Sequence, residues 1–192
     1  MAKEPIEDDL RQMIHDKRVV VVVGAGVSCA TTSRAPSWRG LIESGMERCR
    51  VLGANEEWCK KIGSFLADSD PDMLLAAAEL VAKRLWKGGE SEFARWLRDT
   101  FEKLSVERPE VIQRLVALDL PLVTTNYDDL IEKVAGLRSV TWKEPRKVTR
   151  SLRGDDRRVL HLHGHWDEPD SVVLGIRSYE DVKNNEHTQA VM

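Results

Sequence analysis

Three short stretches carry residue types that can do chemistry together. Gly24-Ala25-Gly26-Val27-Ser28 follows a run of five valines, Val19 to Val23. Two glycines directly after an apolar run let the backbone turn and let a ligand come close, because no Cβ stands in the way. A strand running into such a turn is how nucleotide-binding folds bring backbone N–H groups to a pyrophosphate. Thr124-Thr125-Asn126-Tyr127-Asp128 closes a second apolar run. Polar residues at the carboxyl end of a buried strand are where open α/β sheets bind ligands. Asn126 offers donors and acceptors and Asp128 a carboxylate, although both residues also suit the cap of a following helix. His161-Leu162-His163-Gly164-His165 closes a third run. His163 beside Gly164 reads as a general base at a strand end, with room next to it for a substrate. Alternating histidines also suit a metal, but no cysteine or carboxylate cluster stands at ligand spacing, so no metal is expected.

Stepping outward, the pattern supplies elements to hold these stretches. Val19–Val23 reads as a strand buried on both faces, too short for a helix core. Residues 5–16 form an amphipathic helix, and Ser37 caps a helix that begins at Trp38. Residues 56–67, 71–86 and 91–104 follow as three helical segments, with a break at Gly88-Gly89. Residues 109–117 are helical, with Pro109 in the first turn. Leu120–Thr125 is a second core strand, and residues 130–135 are a helix closed by Gly136. Val140–Trp142, Val159–Gly164 and Val172–Gly175 complete the strands. The charged segment 143–158 reads as a solvated loop or hairpin, and Ser178 as the cap of a last helix. Strands alternating with helices give an α/β class: a Rossmann-like parallel sheet with helices on both faces and a helical insertion over 55–105. The aromatic residues of that insertion, Phe93, Trp96 and Phe101, are read as packing. The polar final residues, with no closing strand, give the expectation that residues 1–192 are one domain cut short at its C-terminal end.

Bulk properties exclude several function classes. A formal net charge of -3 over 192 residues gives no general attraction to nucleic acid. The basic cluster Arg146–Arg158 is interrupted by Asp155 and Asp156 and reads as a solvated face. Three cysteines, Cys29, Cys49 and Cys59, without a CxxC, fit a reducing compartment. No apolar run reaches the roughly 20 residues of a membrane span, and the acidic N-terminal stretch has no signal-peptide pattern. The expectation is a cytoplasmic chain with neither membrane nor nucleic acid as partner. The glycine turn departs from the dinucleotide fingerprint GxGxxG: Cys29 stands in place of the third glycine, and Glu43 falls inside a helix rather than at the end of a second strand. Both points count against a nicotinamide dehydrogenase.

Taken together, Gly24–Ser28, Pro36-Ser37-Trp38 with Leu41, Thr124–Leu130 and His161–Gly164 resemble the sirtuin-like domain. The likeness is to its bacterial NAD-hydrolysing antiphage-defence branch, and it runs from about residue 18 to Tyr179. It implies that Gly24, Ala25, Gly26, Val27 and Ser28 hold the NAD pyrophosphate, with Thr125 and Trp38 also on the NAD-binding side. Asn126 and Asp128 would line the nicotinamide and ribose pocket, and His163 would be the catalytic histidine. Thr125 stands where deacetylating sirtuins carry glutamine, and the four zinc-binding cysteines of the deacetylases are absent. Both departures point from protein deacylation towards NAD hydrolysis.

The resemblance therefore implies an NAD glycohydrolase with NAD as substrate, releasing nicotinamide and ADP-ribose. A fused or associated sensor domain and a homo-oligomer fit the same resemblance. Two rival readings remain open at this level: a non-catalytic NAD or ADP-ribose sensor, and an NAD-dependent deacylase.

Overall fold

In the computed structural model, residues 5–87 and 90–184 are described. The break expected at Gly88-Gly89 lies outside them. Helix α1 (Pro5–His15) precedes strand β1 (Val21–Val23), and α2 (Ala25–Thr31) starts immediately after Gly24. Helices α3 (Trp38–Val51), α4 (Glu56–Ala67), α5 (Pro71–Lys87), α6 (Glu90–Phe101) and α7 (Glu110–Ala117) lead to β2 (Leu122–Thr124). Then come α8 (Leu130–Ala135), β3 (Arg138–Thr141), α9 (Pro145–Leu152), β4 (Arg158–His161), a short 3₁₀ turn (Pro169–Ser171) and α10 (Ile176–Asn184). All pairings are parallel, in the order β1-β2-β4-β3. The α/β, Rossmann-like class expected from the sequence is the one observed. No helix among the described residues is long and apolar enough to cross a membrane.

Strand alternation divides the sheet between two apolar clusters. Val23, Leu122 and Val159 face the larger one, with Ile42, Ile62, Val81, Leu85, Phe93, Trp96 and Leu97 from α3 to α6. Phe93 and Trp96 are packing: Phe93 is 1 % exposed and stacks on Trp86, while Phe101 is buried and also borders the cavity described below. Val123, Val140 and Leu160 face the smaller cluster, completed by Val148 of α9. Helix starts follow local chemistry. Ser37 Oγ accepts from the Gly40 amide at 3.1 Å, and Asn55 Oδ1 accepts from the Trp58 amide at 2.9 Å. Gly136 ends α8 with φ 66°, the left-handed conformation glycine adopts most easily.

Several sequence expectations are corrected. The valine run is not buried on both faces. Only Val23 is buried, while Val22 is 62 % exposed: β1 is the sheet's edge, and α9 packs over β4 and β3 at the other side of the sheet. The segment 143–158 contains a helix. Val148 and Ser151 turn inward there while the charged residues stay out, which the high charge had hidden. Val172–Gly175 is not a strand. Val173 and Leu174 are buried in an irregular segment held by the Val173 N–H to His163 carbonyl bond at 2.8 Å. Ser178 lies within the first turn of α10, where its Oγ accepts from the amides of Leu174 and Gly175, both at 3.0 Å.

Candidate active site

A cavity of about 480 Å³ opens at the carboxyl ends of the strands. This is the size range of small-molecule sites. Its wall is mostly apolar, from Pro36, Trp38, Leu41, Leu75 and Phe101, with a polar group formed by Ser28, Thr125, Asn126, Asp128 and His163. Residues far apart in sequence thus converge because β1, β2 and β4 end side by side. Val23 pairs with Thr124, and Thr124 with His161.

The polar group is wired together. Ser28 Oγ donates to Asp128 Oδ2 at 2.7 Å, and Asn126 Nδ2 donates to Ser28 Oγ at 2.8 Å. A hydroxyl has one proton. Since the Ser28 proton goes to the carboxylate, Ser28 can only accept from Asn126, which fixes the orientation of the Asn126 amide. Asn126 Oδ1 then has no partner among the described residues and remains the free acceptor. Asp128 Oδ1 accepts from the Leu130 amide at 3.2 Å, so the capping role read from the sequence is also present. Burial raises the Asp128 carboxyl above its ordinary range, against the bonds from Ser28 and Leu130 that favour its charged form.

His163 sits just past β4, on a turn fixed by Gly164. Gly164 has φ +86°, and a Cβ there would meet the Ser171 carbonyl oxygen at 2.1 Å. No side chain fits that position. The His163 ring packs edge-on against Tyr179, with centroids 5.2 Å apart. Its nitrogens have no hydrogen-bond partner among the described residues. Burial lowers its pKa below the ordinary value, which keeps it a neutral base at neutral pH.

The glycines divide by role. A Cβ on Gly26 would meet nothing within 4 Å, and one on Gly24 only Thr125 Oγ1 at 3.5 Å. Neither is required by packing, which fits a backbone kept bare for a ligand. Gly175 is different: a Cβ there would meet the Glu79 Cα at 2.7 Å, so it serves packing of α10 on α5. Of the residues read as NAD-binding, Ala25, Ser28, Trp38 and Thr125 line the cavity. Gly24, Gly26 and Val27 are not among its lining residues. Val27 packs against the large core, and its amide bonds the Gly24 carbonyl at 3.0 Å. The turn expected at Gly24–Ser28 is itself the first turn of α2. Tyr127, Phe101 and Leu75 also line the cavity. Tyr127 lies within the Thr124–Asp128 stretch, Phe101 is read from the sequence as packing only, and Leu75 carries no motif.

A parallel sheet with a glycine-flanked helix start and a polar cleft at its strand ends defines a Rossmann-like α/β architecture. Residues 121–192 match the family model described as SIR2-like domain. The matched segment includes Asn126, Asp128 and His163, whereas Gly24–Ser28 lies before it. SIR2-like domains act on NAD, and the match over this part of the chain is consistent with NAD-related chemistry.

Proposed function

We propose that this chain is an NAD+ hydrolase that cleaves the bond between nicotinamide and ribose. The observation that carries this reading is the meeting, in one cleft, of the Asn126–Ser28–Asp128 hydrogen-bond chain and an unpartnered neutral His163. Nicotinamide departs from NAD+ as a neutral molecule, so its departure needs no acid. The site must stabilise a cationic, oxocarbenium-like transition state and bring up a nucleophile. Asp128 supplies negative charge close to the cleft. The free Asn126 Oδ1 orients water or the ribose. His163 takes the proton of the attacking water as its oxygen bonds to the anomeric carbon. The electron pair of the broken bond leaves on the nicotinamide nitrogen. The products are nicotinamide, ADP-ribose and one proton.

The missing zinc cysteines and Thr125 favour hydrolysis over deacylation. On the sequence resemblance we place the activity in the cytoplasm of a bacterium, as an effector of antiphage defence. Incubation with NAD+ and chromatography of the products tests the reading. Equimolar nicotinamide and ADP-ribose are expected. Calorimetric binding without nicotinamide release would replace it with a sensor. O-acetyl-ADP-ribose formed from an acetylated peptide would replace it with a deacylase.

A further inference from the structure

Behind Asn126, outside the cleft, lies a buried ionisable pair. His161, the last residue of β4, is 0 % exposed. Its Nε2 lies 2.6 Å from Glu132 Oε1 of α8, and its Nδ1 lies 2.9 Å from the backbone carbonyl oxygen of Asn126. A carbonyl only accepts, so Nδ1 carries a proton. The second proton of the pair lies between Nε2 and Glu132. Whether it sits on the ring or on the carboxyl, Nδ1–H still points at Asn126. Burial alone would lower the His161 pKa, but the hydrogen bond and charge of Glu132, the Asn126 carbonyl and the Asp128 charge raise it overall. In either arrangement Glu132 holds the ring through Nε2 while Nδ1–H donates to the Asn126 carbonyl.

Asn126 is gripped from three sides. Its amide donates to Thr124 Oγ1 at 3.0 Å, its side chain to Ser28 Oγ at 2.8 Å, and its carbonyl accepts from His161. Two of these anchors come from β2 and α2, whose residues already form the cleft. The third comes from a pair the cleft does not touch, and it ties the loop bearing Asn126 to both β4 and α8. We propose that Glu132 and His161 are positioning residues that hold Asn126 in register for the reaction at the cleft. The proposal rests on the hydrolase reading for its kinetic consequence.

Glu132, His161 and His165 also lie close enough together to suggest a metal site, with ligand atoms within 4.8 Å of one another. The hydrogen bonds argue otherwise. Both nitrogens of His161 are engaged. His165 Nδ1 accepts from the Asp167 amide at 3.2 Å, so its proton is on Nε2, the atom a metal would need bare. The buried Glu132 Oε2 and His165 Nε2, both without a partner among the described residues, are then an acceptor and a donor that one water can bridge.

The test compares Glu132→Gln, His161→Asn and His161→Leu in the full chain, with folding verified by circular dichroism. His161→Asn can still donate from the Nδ1 position to the Asn126 carbonyl, whereas His161→Leu cannot. His161→Leu should lower kcat about 10²-fold, the scale of a misplaced reacting group, with KM little changed. His161→Asn should recover part of that loss. Independently of turnover, the side-chain amide resonances of 15N-labelled Asn126 should shift in Glu132→Gln and in His161→Leu, and less in His161→Asn. If the wild type releases no nicotinamide, the hydrolase reading fails while the resonances still decide the positioning claim. Unmoved Asn126 resonances in folded Glu132→Gln and His161→Leu would overturn it. So would stoichiometric zinc in the wild type that is lost in His165→Ala.

Discussion

Ser28 and Asp128 stand 100 positions apart and share a buried 2.7 Å hydrogen bond. Ser28 comes from the helix that follows β1 and Asp128 from the loop that follows β2. The bond therefore joins two walls of the cleft at the level where a ligand would lie. Because Ser28 also accepts from Asn126, its single hydroxyl decides the state of both neighbours.

Ser28→Ala should leave Asp128 Oδ2 without its donor and Asn126 Nδ2 without its acceptor. An unmade buried hydrogen bond of this kind costs about 1–3 kcal/mol, read as a lower denaturant midpoint. NAD+ cleavage should fall at the same time. The single variants Ser28→Ala and Asn126→Ala, measured with the double variant, should be clearly non-additive in both stability and rate. Additive losses would mean that the contact is incidental.

Gly26→Ala separates stability from binding. The added methyl meets nothing, and alanine in a helix is favoured over glycine by about 1 kcal/mol. The variant should be as stable as the parent or more so in thermal unfolding. In calorimetry it should bind NAD+ more weakly, because the methyl stands on the turn that the resemblance assigns to the pyrophosphate. Unchanged affinity would remove Gly26 from the site.

His163→Ala should lower nicotinamide release by about 10²–10⁴-fold, the range of general-base assistance. Its pH profile offers a second reading. Burial lowers the His163 pKa, so the base form persists below the ordinary histidine value of 6.5. In the parent chain kcat/KM should stay level through neutral pH and fall only on the acid side of that value. The residual activity of His163→Ala should lack that limb.

His165 predicts acid sensitivity of the fold itself. Burial, then the charges of His161 and Lys133, push its pKa down to about 3. An unfolded histidine takes a proton near 6.5, while the folded one resists it until about 3. Across that window the unfolded chain binds more protons, so stability falls as pH falls, by up to about 1.4 kcal/mol per unit from this group. His161 acts in a different window: with its folded pKa raised, its contribution is complete below 6.5 and is lost as pH rises through the folded value. Denaturant titrations from pH 7 to pH 4 should show a shallower decline for His165→Leu than for the parent. Parallel declines would mean that the histidine is not the cause.

The sequence showed those parts of the molecule where local rules act alone. Ser37 caps α3, Gly136 closes α8, and α4 spans the residues that its apolar spacing indicated. Asn126, Asp128 and His163 were legible because polar residues ending apolar runs stand out. What it hid depends on distant partners. Val22 has the residue type of a core strand, yet it lies on the sheet's edge strand, away from α9. Val148 and Ser151 sit among arginines and lysines that mask a helix with a narrow apolar side. Val173 and Leu174 are apolar enough for a strand, but they are buried by the turn around Gly164 instead of by pairing. Glu132 stands between Ile131 and Lys133 with nothing local to mark it. Its pairing with His161, 29 positions on, exists only once β4 lies beside β2.

The exposed side of β1 has a consequence for handling. Among the described residues β1 has one neighbour, β2, and its opposite edge is open. Open strand edges are templates for another chain's backbone, and native proteins blunt them with charge. Here the edge carries valines instead, with Val20 and Val22 exposed. Concentrated solutions of this chain would be prone to stick together strand to strand. A lysine in place of Val22 would protect solubility at little cost to a core that Val22 hardly enters.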